Sequence, residues 1–144
     1  MAARTFIDTN ILVYAEASDC PLKQSIALGL LKTLYDEAQG VLSTQVLQEY
    51  CNVAILKLKL PASHVRAQLG LFEQFEIVQV TPSIIHLGLD ICQTRSVSYF
   101  DAIVLASAQT AGCSILLSED MNAGEMVNGV RISNPFALSN NPLI

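Results

Sequence analysis

Short apolar segments alternate with helix-like segments along this chain, and that alternation is what most limits the folds open to it. Strand-like patterns are found, in chain order, at residues 4–7, 41–43, 76–80, 114–117 and 130–133. Between the first two, Leu22, Ile26, Leu30 and Leu34 recur every four residues, which is the spacing of an amphipathic helix. The alternation predicts an α/β fold, a three-layer α/β/α sandwich in which helices cover both faces of a central parallel sheet.

Glycine and proline mark where the remaining helices begin and end. Gly40 is predicted to close the Leu22–Leu34 helix, and Pro61 to end a helix over residues 44–59. Pro82 opens a helix over about residues 83–94. A strongly apolar helix is predicted to begin at Asp101 and to end at Gly112.

The composition predicts one globular domain. Apolar residues make up 51% of the 144 residues and charged residues 15%, which is enough for a buried core and excludes disorder. The sequence contains no repeats and no interdomain linker. We therefore predict a single domain over residues 1–136 and a short tail over residues 137–144.

The same sequence bears on the compartment. The longest apolar runs, such as residues 11–15, are far shorter than the roughly 20 residues that span a membrane, and the N-terminal residues lack the apolar core of a secretory signal. The four cysteines are widely separated and form no Cys-x-x-Cys pair, which argues against a zinc site. We predict reduced cysteines in a cytoplasmic protein with no membrane partner.

Four acids are expected near the carboxyl ends of the strands. Asp8 and Asp120 each follow a strand directly, and Asp101 is predicted to cap the helix that it begins. Glu49 falls in the early turns of its helix, three residues after Val46 on the inward face. Each acid alone has a structural explanation: a helix cap, a border position or a turn residue.

Together the four acids predict a metal site. Ligands of open α/β sheets bind outside the carboxyl ends of the strands, so the four side chains are expected at one edge. Clustered carboxylates repel one another, and a hard divalent cation such as Mg²⁺ or Mn²⁺ relieves the repulsion. Such ions activate water for the hydrolysis of phosphodiester bonds.

The segments that carry these acids resemble the PIN-domain family, specifically the VapC-like toxins of toxin–antitoxin modules. The matching segments, which lie in register along almost the whole chain, are residues 6–15, 43–50, 98–102 and 115–120. The resemblance implies an endoribonuclease that depends on Mg²⁺, acts on RNA, forms a homodimer and is inhibited by a cognate antitoxin. The family's acids map onto Asp8, Glu49, Asp101 and Asp120, and its polar helper residues map onto Asn10 and Ser118.

Two other functions remain open at this point. An aspartyl-phosphate phosphatase would use Asp8 as the nucleophile, but that class has a second Asp two residues later, where this chain has Asn10. A non-catalytic protein would use the acids to hold a structural cation or an arginine of a partner.

The net charge of -5 opposes simple phosphate binding, which normally depends on a basic surface. Binding of RNA would therefore depend on the cation and on a few basic side chains such as Lys57. Tyr99 and Phe100 are expected to pack beneath the site, with base stacking as the alternative.

Overall fold

The computed structural model describes residues 3–137, and all structural statements below refer to this range. The predicted tail, apart from Ala137, lies outside the described residues. The strands are β1 (Thr5–Ile7), β2 (Gly40–Ser43), β3 (Glu76–Val78), β4 (Ile115–Leu117), β5 (Met126–Val127) and β6 (Val130–Ser133). The helices are α1 (Thr9–Glu16), α2 (Pro21–Asp36), α3 (Thr44–Leu56), α4 (Ala62–Phe72), α5 (Pro82–Thr94) and α6 (Tyr99–Thr110).

The strands form one sheet in the order β3-β2-β1-β4-β6-β5. All neighbouring pairs are parallel except β5 and β6, which are antiparallel. The chain moves from β1 outward to β2 and β3 and then returns to β4 on the other side of β1. The strand order therefore reverses between β1 and β4, which is the position where open parallel sheets bind ligands.

The helices lie on the two faces of the sheet, as the alternating pattern predicted. Because parallel crossovers are right-handed, α1 to α4 cover one face, and α5 and α6, which connect β3 back to β4, cover the other. In agreement, α1 packs against α2 and α3, α3 packs against α4, and α5 packs against α6. The predicted α/β class and the mostly parallel central sheet are confirmed.

The central strands are mostly apolar because helices bury both of their faces. Every residue of β1 and β2 is buried. The largest side chains of the core include Phe6, Tyr50, Leu105 and Leu116. No helix within residues 3–137 is both long enough and apolar enough to span a bilayer.

Side-chain caps fix the starts of the helices that follow the sheet. Ser43 ends β2 and its hydroxyl accepts a hydrogen bond from the backbone N–H of Val46, so that α3 begins without a loop. Thr81 caps α5 in the same way. The helix after β2 therefore leaves the carboxyl edge of the sheet directly, which keeps its first turns close to that edge.

The structure differs from the predictions mainly at the ends of elements. The strand predicted over residues 76–80 ends at Val78, and the helix predicted to reach residue 59 ends at Leu56. The sequence pattern did not predict β5, because a strand of two residues has no periodicity.

Candidate active site

Asp8 lies at the carboxyl end of β1 and caps α1. Its Oδ1 accepts a hydrogen bond from the backbone N–H of Thr9 at 2.8 Å, and its Oδ2 accepts one from the hydroxyl of Ser118 at 2.8 Å. The side chain is only 8% exposed. Burial raises the pKa of Asp8 to about 6, and the nearby charges of Glu49 and Asp101 add to the increase, although the hydrogen bonds oppose it.

Asn10 and Ser118 join the end of β1 to the end of β4. The Asn10 amide nitrogen lies 3.4 Å from Asp8 Oδ2, 3.3 Å from Ser118 Oγ and 3.2 Å from Asp120 Oδ2. Its amide oxygen accepts a hydrogen bond from the backbone N–H of Glu119 at 3.2 Å. These contacts fix the loop after β4, and with it Asp120, relative to Asp8.

Glu49 and Asp101 approach the same place from α3 and α6. Partial burial raises the pKa of Glu49, and the charge of Asp101 raises it further, while a hydrogen bond from Gln45 lowers it. Since the same two charges also raise the pKa of Asp8, the three carboxylates are close enough to repel one another. The prediction that Glu49 lies on the inward face of its helix is wrong: Glu49 is at the exposed border of α3, whereas Val46 and Tyr50 form the buried stripe.

The predicted role of Asp101 as a helix cap is wrong. The helix α6 begins two residues earlier, at Tyr99, and its cap is Ser98, whose hydroxyl accepts a hydrogen bond from the backbone N–H of Asp101 at 3.2 Å. Asp101 therefore lies in the first turn, where the helix dipole favours a negative charge. Its carboxylate is not needed for capping and faces the cleft.

One cleft of about 540 Å³ lies at this edge of the sheet. Its lining includes all four predicted acids and a single lysine, namely Asp8, Glu49, Lys57, Asp101 and Asp120. None of the four acids forms an ion pair among the described residues. The cleft is therefore an open acidic surface at the point where the strand order reverses.

Comparison with known proteins identifies the fold and the family. A model of the PIN domain matches residues 5–126, a range that contains all four acids. The chain belongs to the PIN domain family. Among curated proteins, none matches the sequence of this PIN domain.

Solved structures similar to this PIN domain share its fold at low sequence identity. A toxin–antitoxin complex from Klebsiella pneumoniae gives a TM-score of 0.66 at 23% identity and covers 92% of this chain and 98% of that one. The Mycobacterium tuberculosis VapC20, described as a Sarcin-Ricin loop cleaving toxin, gives a TM-score of 0.65 at 20% identity. The match covers 88% of this chain and 98% of that one. A DNA-bound VapBC from Salmonella typhimurium gives a TM-score of 0.64 at 14% identity, and the match covers 91% of this chain and 97% of that one.

The donor chemistry of the cleft fits a hard divalent cation. Within residues 3–137, no three acidic, histidine or cysteine side chains are already gathered as a metal-binding cluster. The acids line the cleft from four separate segments of the chain. All of their donor atoms are carboxylate oxygens, which suit Mg²⁺ or Mn²⁺ rather than zinc. A cation among them would offset the repulsion that raises the pKa values of Asp8 and Glu49.

A second network beside the PIN domain cleft was not predicted. Lys23 forms an ion pair with Glu119, and the hydroxyl of Tyr14 donates a hydrogen bond to the same carboxylate at 2.6 Å. The Lys23 ammonium also lies 4.7 Å from the centre of the Tyr14 ring. Burial alone would raise the pKa of Glu119, but these contacts stabilise its charged form and lower the pKa. No spacing in the sequence connects Lys23 with Glu119, because the two lie on different elements.

The prediction that Tyr99 and Phe100 pack beneath the site is wrong. Phe100 is 64% exposed and Tyr99 is 39% exposed. The cause is the earlier start of α6: the two residues occupy its first turn, whereas the buried face of the helix begins at Ala102.

Proposed function

We propose that this PIN domain is a Mg²⁺-dependent endoribonuclease, the toxin of a VapBC-type toxin–antitoxin pair. The observation that carries the proposal is the cleft at the strand reversal, which Asp8, Glu49, Asp101 and Asp120 all line. The similarity to a toxin–antitoxin complex and to a Sarcin-Ricin loop cleaving toxin supports the same function.

In this proposal Asp8 and Asp101 hold the principal Mg²⁺, and Glu49 and Asp120 complete the site or hold a second ion. Mn²⁺ has the same preference for oxygen donors and is expected to substitute. The cation, when bound, lowers the pKa of a water and offsets the negative charge of the scissile phosphate.

The residues of the chain then have separate roles. Ser118 and Asn10 hold the carboxylate of Asp8 in one orientation through their contacts with Oδ2. Glu49 or Asp120 accepts the proton of the attacking water, whose oxygen forms the new bond to phosphorus. The bond from phosphorus to the leaving ribose oxygen breaks, and that oxygen takes up a proton from solvent water. No covalent enzyme intermediate forms.

The contacts of Asn10 disfavour the phosphatase alternative. Asn10, at the position where that class has its second Asp, is bonded to Ser118 and Asp120. Asn10 therefore connects the residues that line the cleft and cannot act as the second Asp of a phosphatase.

Cleavage of a purified RNA tests the proposal. Incubated with Mg²⁺, the wild type is expected to produce discrete fragments, and EDTA is expected to abolish them. Asp101→Asn should reduce the rate roughly 100-fold or more, because it removes a ligand charge without changing the backbone cap at Ser98. Glu76→Gln, which changes an acid at the opposite edge of the sheet, is the matched control and should cleave like the wild type.

An undiminished rate for Asp101→Asn would contradict the proposal. Binding of Mg²⁺ without turnover on any RNA would instead support the non-catalytic alternative.

The proposed partners are a cognate antitoxin and a second copy of the chain. A groove of about 1,030 Å³ beside α3 and α4 exposes apolar side chains, including Ile55 and Leu56, which are 46% and 59% exposed. Exposed apolar surface of this kind is typical of protein interfaces. Purification of the chain with its neighbouring gene product, followed by measurement of the mass of the complex, tests both partners.

A further inference from the structure

A small pocket next to the acidic cleft has the features of a site for one nucleobase. It has a volume of about 320 Å³, which is near the lower limit of roughly 300 Å³ for small-molecule sites. Its walls are apolar and aromatic: Val80, Ile85, Tyr99, Phe100 and Ile103. Glu49 lines both this pocket and the acidic cleft, so the two sites are adjacent.

The aromatic wall is exposed yet held in place. Most of the Phe100 side chain remains exposed after folding, so its burial contributes little to the stability of the fold. The ring packs edge-on against Tyr99, with the ring centres 5.2 Å apart. The backbone carbonyl of Phe100 accepts a hydrogen bond from the Gln45 side chain at 3.2 Å, which ties the start of α6 to α3. An exposed aromatic ring in the wall of a pocket is a suitable platform for stacking.

The pocket also contains polar groups that match the edge of a base. The amides of Gln45 and Gln48 line it. The Gln45 amide already donates a hydrogen bond to the carbonyl of Phe100, so the exposed amide of Gln48 is the one that can contact a base. Amides both donate and accept hydrogen bonds, as the edges of nucleobases do.

We infer that this pocket, which we call the base pocket, binds an unpaired base next to the phosphate that the acids cleave. The inference rests on the proposed function and adds to it a binding site for one base beside the acids. A base in a duplex is stacked between its neighbours and cannot enter the pocket, whereas an unpaired base in a loop can turn out of the strand and stack on Phe100.

The base pocket also helps to explain how an acidic protein holds RNA. With a net charge of -5, phosphate contacts alone provide little affinity. Stacking does not depend on charge and strengthens binding roughly tenfold or more per base.

Binding of a short single-stranded RNA that contains 2-aminopurine tests the inference. The fluorescence of this base is quenched when it stacks, and stopped-flow mixing with Mg²⁺ records the signal before cleavage. The wild type is expected to quench the single strand and not the matching duplex. Phe100→Ala should weaken binding roughly tenfold and abolish the quench, and Phe100→Trp should preserve both.

Tyr35→Ala is the matched control, since Tyr35 is also a half-exposed aromatic residue but lies at the opposite edge of the sheet. It should bind RNA like the wild type. Sedimentation velocity and thermal melting of each variant show whether the assembly and the fold are unchanged.

Three results would overturn the inference: equal binding by Phe100→Ala and the wild type, equal quenching of duplex RNA, or no binding of the single strand by the wild type. Loss of a dimer in Phe100→Ala would also overturn it, because the pocket would then be an interface between copies. Quenching without cleavage would refute the proposed ribonuclease and leave the base pocket in place.

Discussion

Two charged residues at the amino edge of the sheet form an ion pair, whereas the four predicted acids that line the cleft at the carboxyl edge form none among the described residues. At the amino edge, Arg4 before β1 forms an ion pair with Glu76 at the start of β3, and its Nε donates a hydrogen bond to the carbonyl of Ala111 at 2.9 Å. At the carboxyl edge, Asp8, Glu49 and Asp101 face one cleft, and two of them have raised pKa values. The amino edge is arranged for stability.

The carboxyl edge instead retains unfavourable charge. Uncompensated carboxylates lower the stability of the folded state, and they persist at functional sites because the chemistry requires them. The contrast supports the proposal that the active site lies at the carboxyl edge, independently of family membership. Substitutions at the carboxyl edge should therefore affect activity most, and those at the amino edge should affect only stability.

Ser118 should have the largest effect among residues that do not themselves bind a cation. Ser118→Ala removes the 2.8 Å hydrogen bond to Asp8 and the contact with Asn10. We expect kcat to fall roughly tenfold or more with little change in KM, because orientation rather than binding is lost. Ser118→Thr keeps the hydroxyl and should restore most of kcat. A change in KM alone would show that Ser118 contacts the substrate instead.

Asp8→Asn should make the metal-free protein more stable, as measured in EDTA. With Mg²⁺ present, the same variant should not cleave RNA. The folded protein binds the Asp8 proton more tightly than the unfolded chain does, since the pKa rises from 3.8 to about 6. The free energy of unfolding of the wild type should thus fall as the pH rises from about 4 to about 6, and remain lower above that range. At pH 8 we expect Asp8→Asn to be more stable by about 1–3 kcal/mol, and at pH 4 we expect no difference.

Urea denaturation at the two pH values provides the measurement. If Asp8→Asn is less stable than the wild type at pH 8, the hydrogen bonds of the carboxylate outweigh its burial. The two edges of the sheet would then not differ as described.

The smallest effect is expected at the amino edge. Glu76→Gln removes the ion pair with Arg4, whose side chain is 34% exposed, while that of Glu76 is 51% exposed. Ion pairs this exposed contribute roughly 0.2–1 kcal/mol, so thermal unfolding should shift slightly and cleavage should not change. A loss of cleavage would show that the amino edge also influences the active site.

Much of the fold was predictable because apolar periodicity reports burial directly. The buried strand before Asp8 and the one before Asp120 are visible as short apolar runs, and both acids lie at the carboxyl edge as predicted. The sequence could not show that α6 begins at Tyr99, because Ser98 and Asp101 are both good caps and only the geometry of the chain selects one.

Contacts between distant elements were also beyond the sequence. The exposure of Phe100 depends on where α3 meets α6, and the pairing of Lys23 with Glu119 depends on how α2 packs beside the end of β4. Neither has a local signal. Asp8 and Asp120, in contrast, lie just after apolar strands, so their positions can be derived from local patterns.

Titration of Mn²⁺ in place of Mg²⁺ into the metal-free protein, followed by calorimetry, tests the central claim most directly. We predict saturable binding to the wild type, and an affinity at least about tenfold weaker in each of Asp8→Asn, Glu49→Gln, Asp101→Asn and Asp120→Asn, because each removes one charged oxygen ligand. Glu76→Gln should bind like the wild type. Unchanged affinity in the four variants would contradict the account, since the acids would then not form one cation site.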